Sequence, residues 1–194
     1  RTSYAIDRLL ELGAPIDVKD RWETTPIEAF SRLGPRGQHL VEHLRNRGVV
    51  APPEAYARTG DKDTIAKLLT ADPRLIENDD IIVAAVDFDH RELTQWLIDR
   101  GANPNARSSG GSRGTLLHSA AFEGNLEMVK LLVAAGADIR ALDREHNNTP
   151  EGWARAAIEI TNNPQCAVVA EYLRDRLTSA PAQPRRHEPP RSMA

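Results

Sequence analysis

Apolar residues along this chain recur in pairs: two neighbours, a gap of two, then two more. The pattern stands at Ala5-Ile6/Leu9-Leu10, Thr64-Ile65/Leu68-Leu69, Leu93-Thr94/Leu97-Ile98, Met128-Val129/Leu132-Val133 and Val168-Val169/Tyr172-Leu173. A sixth copy, Leu40-Val41/Leu44, is interrupted only by Arg45. Residues four apart lie above one another on a helix, so each copy predicts an amphipathic helix with one apolar stripe and a charged back. Three copies run into the same stop, Gly13-Ala14, Gly101-Ala102 and Gly136-Ala137. Glycine just past the last apolar pair supplies the left-handed conformation that closes a helix. Four steps separate Gly13 from Gly136, a repeat of about 31 residues.

A shorter, small-residue helical segment precedes most stripes: Pro26 to Arg32, Ile81 to Phe88 with Ala84 and Ala85, and Leu117 to Phe122 with Ala120 and Ala121. Alanine at such positions lets helices of neighbouring units approach closely. The starts are marked. Thr25-Pro26-Ile27-Glu28 reads as a capping box with proline at the first helical position, and Thr149-Pro150 repeats the device. Each unit is therefore expected to be helix, tight turn, longer helix, glycine cap and extended polar loop. No alternation of period two lasts long enough for a sheet. The predicted fold is all-α, about five stacked helix-turn-helix units plus a partial N-terminal one. The units fall near 1–13 (partial), 14–48, 49–77, 78–101, 102–136 and 137–178.

Thr115-Leu116-Leu117-His118-Ser119-Ala120-Ala121-Phe122-Glu123-Gly124-Asn125, continuing to Val129-Lys130-Leu131-Leu132 and Gly136-Ala137-Asp138, resembles an ankyrin repeat nearly residue for residue. Thr25-Pro26-Ile27-Glu28 and Gly101-Ala102-Asn103-Pro104-Asn105-Ala106 carry further pieces of that signature. The resemblance spans about residues 4–177. Leu116 departs from it where the family prefers proline, Asp72-Pro73 replaces a glycine cap, and Thr161-Asn162-Asn163-Pro164 widens the last inner turn. The resemblance implies an α-solenoid with a concave face of finger tips and inner helices. It further implies a structural His118, whose ring would bond nearby turn backbone, and a non-catalytic protein–protein interaction module.

Charge and composition narrow the partner. Twenty-five Lys and Arg against 28 Asp and Glu give −3, without the basic footprint of a nucleic-acid binder. No apolar run reaches the roughly 18 residues of a membrane span. One cysteine, Cys166, leaves neither an internal disulfide nor a multi-cysteine metal site, which fits a reducing, cytoplasmic setting. Residues 179–194 hold Pro181, Pro184, Pro189 and Pro190 with Arg185, Arg186 and Arg191, too little apolar area to order a chain. This stretch is expected to be a disordered tail. Its P-x-x-P spacing at Pro181 and Pro184 is the functional alternative.

Chemistry is sparse. His39-Leu40-Val41-Glu42-His43 matches the inverted zinc-hydrolase spacing, placing two histidines one helical turn apart. Leu40, Val41 and Leu44 form the stripe of that helix, so both histidines fall on its outer side and a solvated face is the expectation. Cys166 has no basic neighbour that would lower its thiol pKa. Asp61, Asp63, Asp79 and Asp80 lack the spacing of a calcium loop. No cofactor, metal or catalytic residue is predicted.

What remains is surface. Aromatic residues and arginine dominate protein–protein contacts because they bury much area at little entropic cost. On the concave face the resemblance places Arg21, Trp22 and Thr24 on one finger, with Arg32 and Leu33 behind them. Arg58 and Thr59, Asp87 and Phe88, and Phe122 and Glu123 follow along the inner helices. Ser112, Arg113, Glu145, His146 and Asn147 stand on later fingers. Phe88 and Phe122 either meet the partner or fold back on a neighbouring helix; Trp22 is similarly divided between partner and next finger. The expected partner is another protein, gripped around Trp22, Leu33, Phe88 and Phe122. Because the pattern opens in mid-unit, the alternative is a regulatory or targeting segment of a larger enzyme or effector, docked on a domain of its own chain.

Overall fold

The computed structural model describes residues 2–107 and 114–179. Ser112, Arg113 and all but Ser179 of the expected tail lie outside the described residues. Among the described residues there are eleven α-helices and no strand; extended pairing is confined to an isolated bridge between Arg107 and Thr115.

Five helices form an inner row: α2 (Pro26–Ser31), α4 (Pro53–Thr59), α6 (Asp79–Asp87), α8 (Leu116–Phe122) and α10 (Pro150–Thr161). The outer row is α1 (Thr2–Glu11), α3 (Gln38–Arg45), α5 (Lys62–Ala71), α7 (Arg91–Ile98), α9 (Leu126–Ala134) and α11 (Gln165–Ser179). Each inner helix packs on the next, and the substantial helix contacts all lie within a unit or between adjacent units. This is the all-α repeat solenoid that the paired aliphatics predict.

Local chemistry sets the starts. Glu28 Oε2 accepts from the Thr25 backbone N–H at 2.8 Å, while the Glu28 N–H points back to Thr25 Oγ1 at 3.4 Å. At α10 the Thr149 hydroxyl accepts from Gly152 N–H at 3.2 Å. In α8 a histidine takes the glutamate's place: His118 Nδ1 accepts from Thr115 N–H at 3.1 Å, so Nε2 carries the proton and donates to Asn148 O at 3.0 Å. The stops are equally local, with Gly101 and Gly136 at φ of 98° and 90°, which a side chain would resist. At the third unit Asp72 does the work of the missing glycine. Its side chain accepts from Arg74 N–H at 3.1 Å and opens a 3₁₀ turn at Pro73–Glu77.

Side chains of the inner turns stitch units together. His90 Nε2 lies 2.8 Å from Arg58 O, Asn125 Nδ2 donates to Asp89 Oδ1 at 2.7 Å, and Asn163 Nδ2 donates to Glu123 O at 3.0 Å. The stripes fill the space between the rows, where Leu44, Ile65, Leu97, Met128, Leu132 and Leu173 are fully buried. Ala55, Ala85, Ala121 and Ala154 are buried in the inner row, where their small size permits the helices to stack. Among the described residues the seams at α1 and α11 are covered on one side only. Leu9 of α1 and Val168 of α11 are exposed although they occupy stripe positions.

Candidate functional site

Two fingers are tied down by one carboxylate each. Asp20 Oδ1 accepts from Trp22 and Thr24 N–H at 2.8 and 3.0 Å. Asp143, itself buried, accepts from the N–H groups of Glu145, His146 and Asn148 at 2.9, 2.6 and 3.0 Å and from the Trp153 indole at 2.8 Å. Burial alone would raise the Asp143 pKa, but the hydrogen bonds outweigh it and hold the carboxyl far below the usual range. The last finger is thereby locked to the inner helix behind it.

The predicted face residues divide into two groups. Toward the N-terminal end, Trp22 is 67% exposed, with the Arg21 guanidinium stacked 3.8 Å from its ring centroid. Leu33 is 53% exposed beside an exposed Arg32. Arg58 is half-buried and reaches Ser31 Oγ at 3.4 Å. Phe88 is half-buried, its ring so close to Gly34 that a Cβ there would meet it at 2.5 Å. Phe88 thus bridges back to the turn that follows Leu33. Two expected face residues turn inward instead. Thr24 is buried beneath its finger, and buried Thr59 donates its hydroxyl to Tyr56 O at 3.0 Å, a local bond that satisfies it inside the helix.

Toward the C-terminal end, α6, α8 and α10 enclose a groove of about 960 Å³. Asp87, Phe122, Glu123 and His146, all named by sequence, line it together with Val86, Ser119, Trp153 and Ile160. Phe122 meets Trp153 edge-on, ring centroids 6.1 Å apart, and Trp153 meets His118 likewise at 5.1 Å. Partial burial pushes the Asp87 pKa up. Glu123 adds to that rise, while the Ser119 hydroxyl and Arg58 oppose it. Glu145 is exposed on the finger, away from the groove lining. Trp153 and Ile160 escape the sequence reading, although the stripe Trp153-Ala156-Ile160 runs alongside buried Ala154 and Ala157 on α10 and would have marked a wider apolar face.

The metal-like pair separates. His39 is exposed, whereas His43 Nε2 sits 2.8 Å from Asp7 Oδ1, an acceptor shared with Arg47, and so ties α3 to α1. Among the described residues no three His, Cys, Asp or Glu side chains stand where they could hold one metal ion. No described helix is long and apolar enough to cross a membrane. Cys166 is buried, its thiol 3.4 Å from Phe122 O.

Helix pairs stacked in register, T-P or T-x-x-H starts and glycine stops define a repeat solenoid of the ankyrin class. A family model described as ankyrin repeats (3 copies) matches residues 54–143, from α4 through α9 into the last finger. That stretch of the chain matches the ankyrin-repeat family. The chain is 33% identical over 106 residues to the inactive serine/threonine-protein kinase TEX14 of Mus musculus, 53% of this chain and 7% of that protein. To the B-cell lymphoma 3 protein homolog of Mus musculus it is 40% identical over 75 residues, 39% of this chain and 16% of the relative. To the Notch-regulated ankyrin repeat-containing protein A of Danio rerio it is 48% identical over 50 residues, 26% and 39% respectively. The chain thus spans only a small part of these relatives' lengths. Ankyrin repeats are a generic protein–protein interaction module.

Proposed function

We propose that the inner-helix face of this repeat array is a binding surface for another protein and that the chain works by holding that partner, without chemistry of its own. The observation that carries the reading is the row of large side chains on this face that the fold leaves open. Trp22 and Leu33 gain nothing for stability by facing water, and their neighbours Arg21, Arg32 and Arg58 are the cation type that interfaces favour. The site residues assigned to this face are Arg21, Trp22, Arg32, Leu33, Arg58, Asp87, Phe88, Phe122, Glu123, Glu145 and His146. Phe88 and Phe122 also pack within the array, so the test rests on the two exposed positions.

Immobilised protein, its Trp22→Ala and Leu33→Ser variants, and an outer-helix control, Val168→Ser, are exposed to lysate of the native host, and retained proteins are identified by mass spectrometry. A partner should be held by the unaltered chain and the control and reduced about tenfold or more by each face variant, the loss expected of an interface anchor. Retention that follows Val168→Ser instead would place the surface on the outer row. A second reading, docking on another domain of the same chain, is supported by the small share of the relatives that such an array occupies.

A further inference from the structure

The groove between α6, α8 and α10 combines features that select among partners. Its wall is aromatic and aliphatic, built on Phe122, Trp153 and Ile160, and Ile160 is 71% exposed although it borders a cavity. The volume, about 960 Å³, exceeds what one side chain fills and suits a short length of chain with a large apolar residue at its centre. The charged groups around it are unbalanced. From α6 comes Asp87, from the following turn Asp89, from the end of α8 Glu123, and from the last finger only His146. Arg91 lies 3.3 Å from Asp89 and Asn125 donates to that same carboxylate, so Asp89 is already partnered. Asp87 and Glu123 are two like charges facing one groove, the first held by the Ser119 hydroxyl and felt by Arg58 of α4, the second without a cation in the lining. α10 adds no charge to the lining.

We propose, on the basis of the protein-binding reading above, that this groove takes a peptide segment of the partner in which a large apolar side chain is flanked by lysine or arginine. The apolar residue enters between Phe122, Trp153 and Ile160, covering surface now open to water. The flanking cations replace water at Asp87 and Glu123, removing the repulsion between them. An acidic segment or a nucleic acid would bring more negative charge beside these two carboxylates. Trp153 is held in place by Asp143, so the wall stands ready before the ligand arrives.

The probe is a short fluorescein-labelled peptide, Lys-Arg-Trp-Arg-Lys within a Gly/Ser frame, titrated at physiological salt by anisotropy, with amide and indole shifts followed by NMR. It is expected to bind and to shift the Trp153 indole and the Ile160 amide. Replacing the cations by glutamate, or the central tryptophan by serine, should weaken binding by about tenfold or more, as should Ile160→Asp and Glu123→Lys in the protein. Both protein variants alter exposed positions, and their melting temperatures should match that of the unaltered chain. Val168→Ser, on the outer row, should leave peptide binding unchanged. Equal binding of the glutamate peptide, undiminished binding by the double variant Ile160→Asp/Glu123→Lys, or no binding at millimolar peptide would each overturn the assignment. Loss of partner capture in Trp22→Ala or Leu33→Ser would still uphold the wider face in that case.

Discussion

Four N–H groups converge on the buried carboxylate of Asp143, three from the finger backbone and one from the Trp153 indole. Removing it orphans several donors at once, and an unsatisfied buried donor costs far more than a typical bond gains. Asp143→Asn keeps the shape but loses the charge and half the acceptors. It should cost about 2–3 kcal/mol at neutral pH, read as a lower urea midpoint. The pH dependence follows in sign. The folded pKa is depressed, so Asp143's contribution is fully present above the ordinary value of 3.8 and is lost as pH falls below it. The gap between the variant and the unaltered chain should therefore narrow only in that acid range. His118 adds an earlier step. Burial lowers its pKa beneath the ordinary 6.5, so the neutral ring is stable in the fold and both proteins weaken as pH drops through that value. His118 is legible in sequence because its partner Thr115 lies within one helical turn. Asp143 is not: its bond to Trp153 closes across a loop and a helix start, and nothing in the chain distinguishes it from its neighbours Asp138 and Glu145.

At the scale of elements, the paired aliphatics mark seams, and a seam's worth depends on what stands opposite. Leu132 of α9 is fully buried among the stripes of adjoining helices. Leu132→Ala should cost roughly 2–5 kcal/mol in denaturant midpoint, since the cavity can collapse only in part. Leu9 of α1 occupies the same pattern position but is exposed, and Leu9→Ala should fall within about 0.5 kcal/mol of the unaltered chain. Comparable losses at the two sites would contradict the open flank at α1. Helix starts, stops and stripes are readable here because capping and periodicity are local. Sequence does not reveal which seams are closed on both sides. The groove shows the same limit. Phe122, Asp87, Glu123 and His146 sit at positions the repeat pattern singles out, while Trp153 and Ile160 line the groove through the packing of α10, longer than the other inner helices, against α8.

Across the whole molecule, contacts run from each unit to its neighbours, so the free energy is close to a nearest-neighbour sum and need not be uniform along the array. Units with two neighbours have two seams to lose before their backbone hydrogen bonds open; α1, with a partly exposed stripe, has less. Hydrogen exchange read by mass spectrometry should therefore be graded. Amides of α6 through α9 should be the slowest, those of α1 the fastest of the helices, and α10 and α11 intermediate. A globule with one shared interior would instead open as a unit, with similar protection at both ends and in the middle. Ligand adds a second contrast. A segment bridging α6, α8 and α10 ties the last unit to the slow centre, so occupancy of the groove should slow exchange in α10 and leave α1 as it was. Equal slowing in α1 would mean that the ligand acts through global stability, and that the last unit was never the weaker partner of the site it completes.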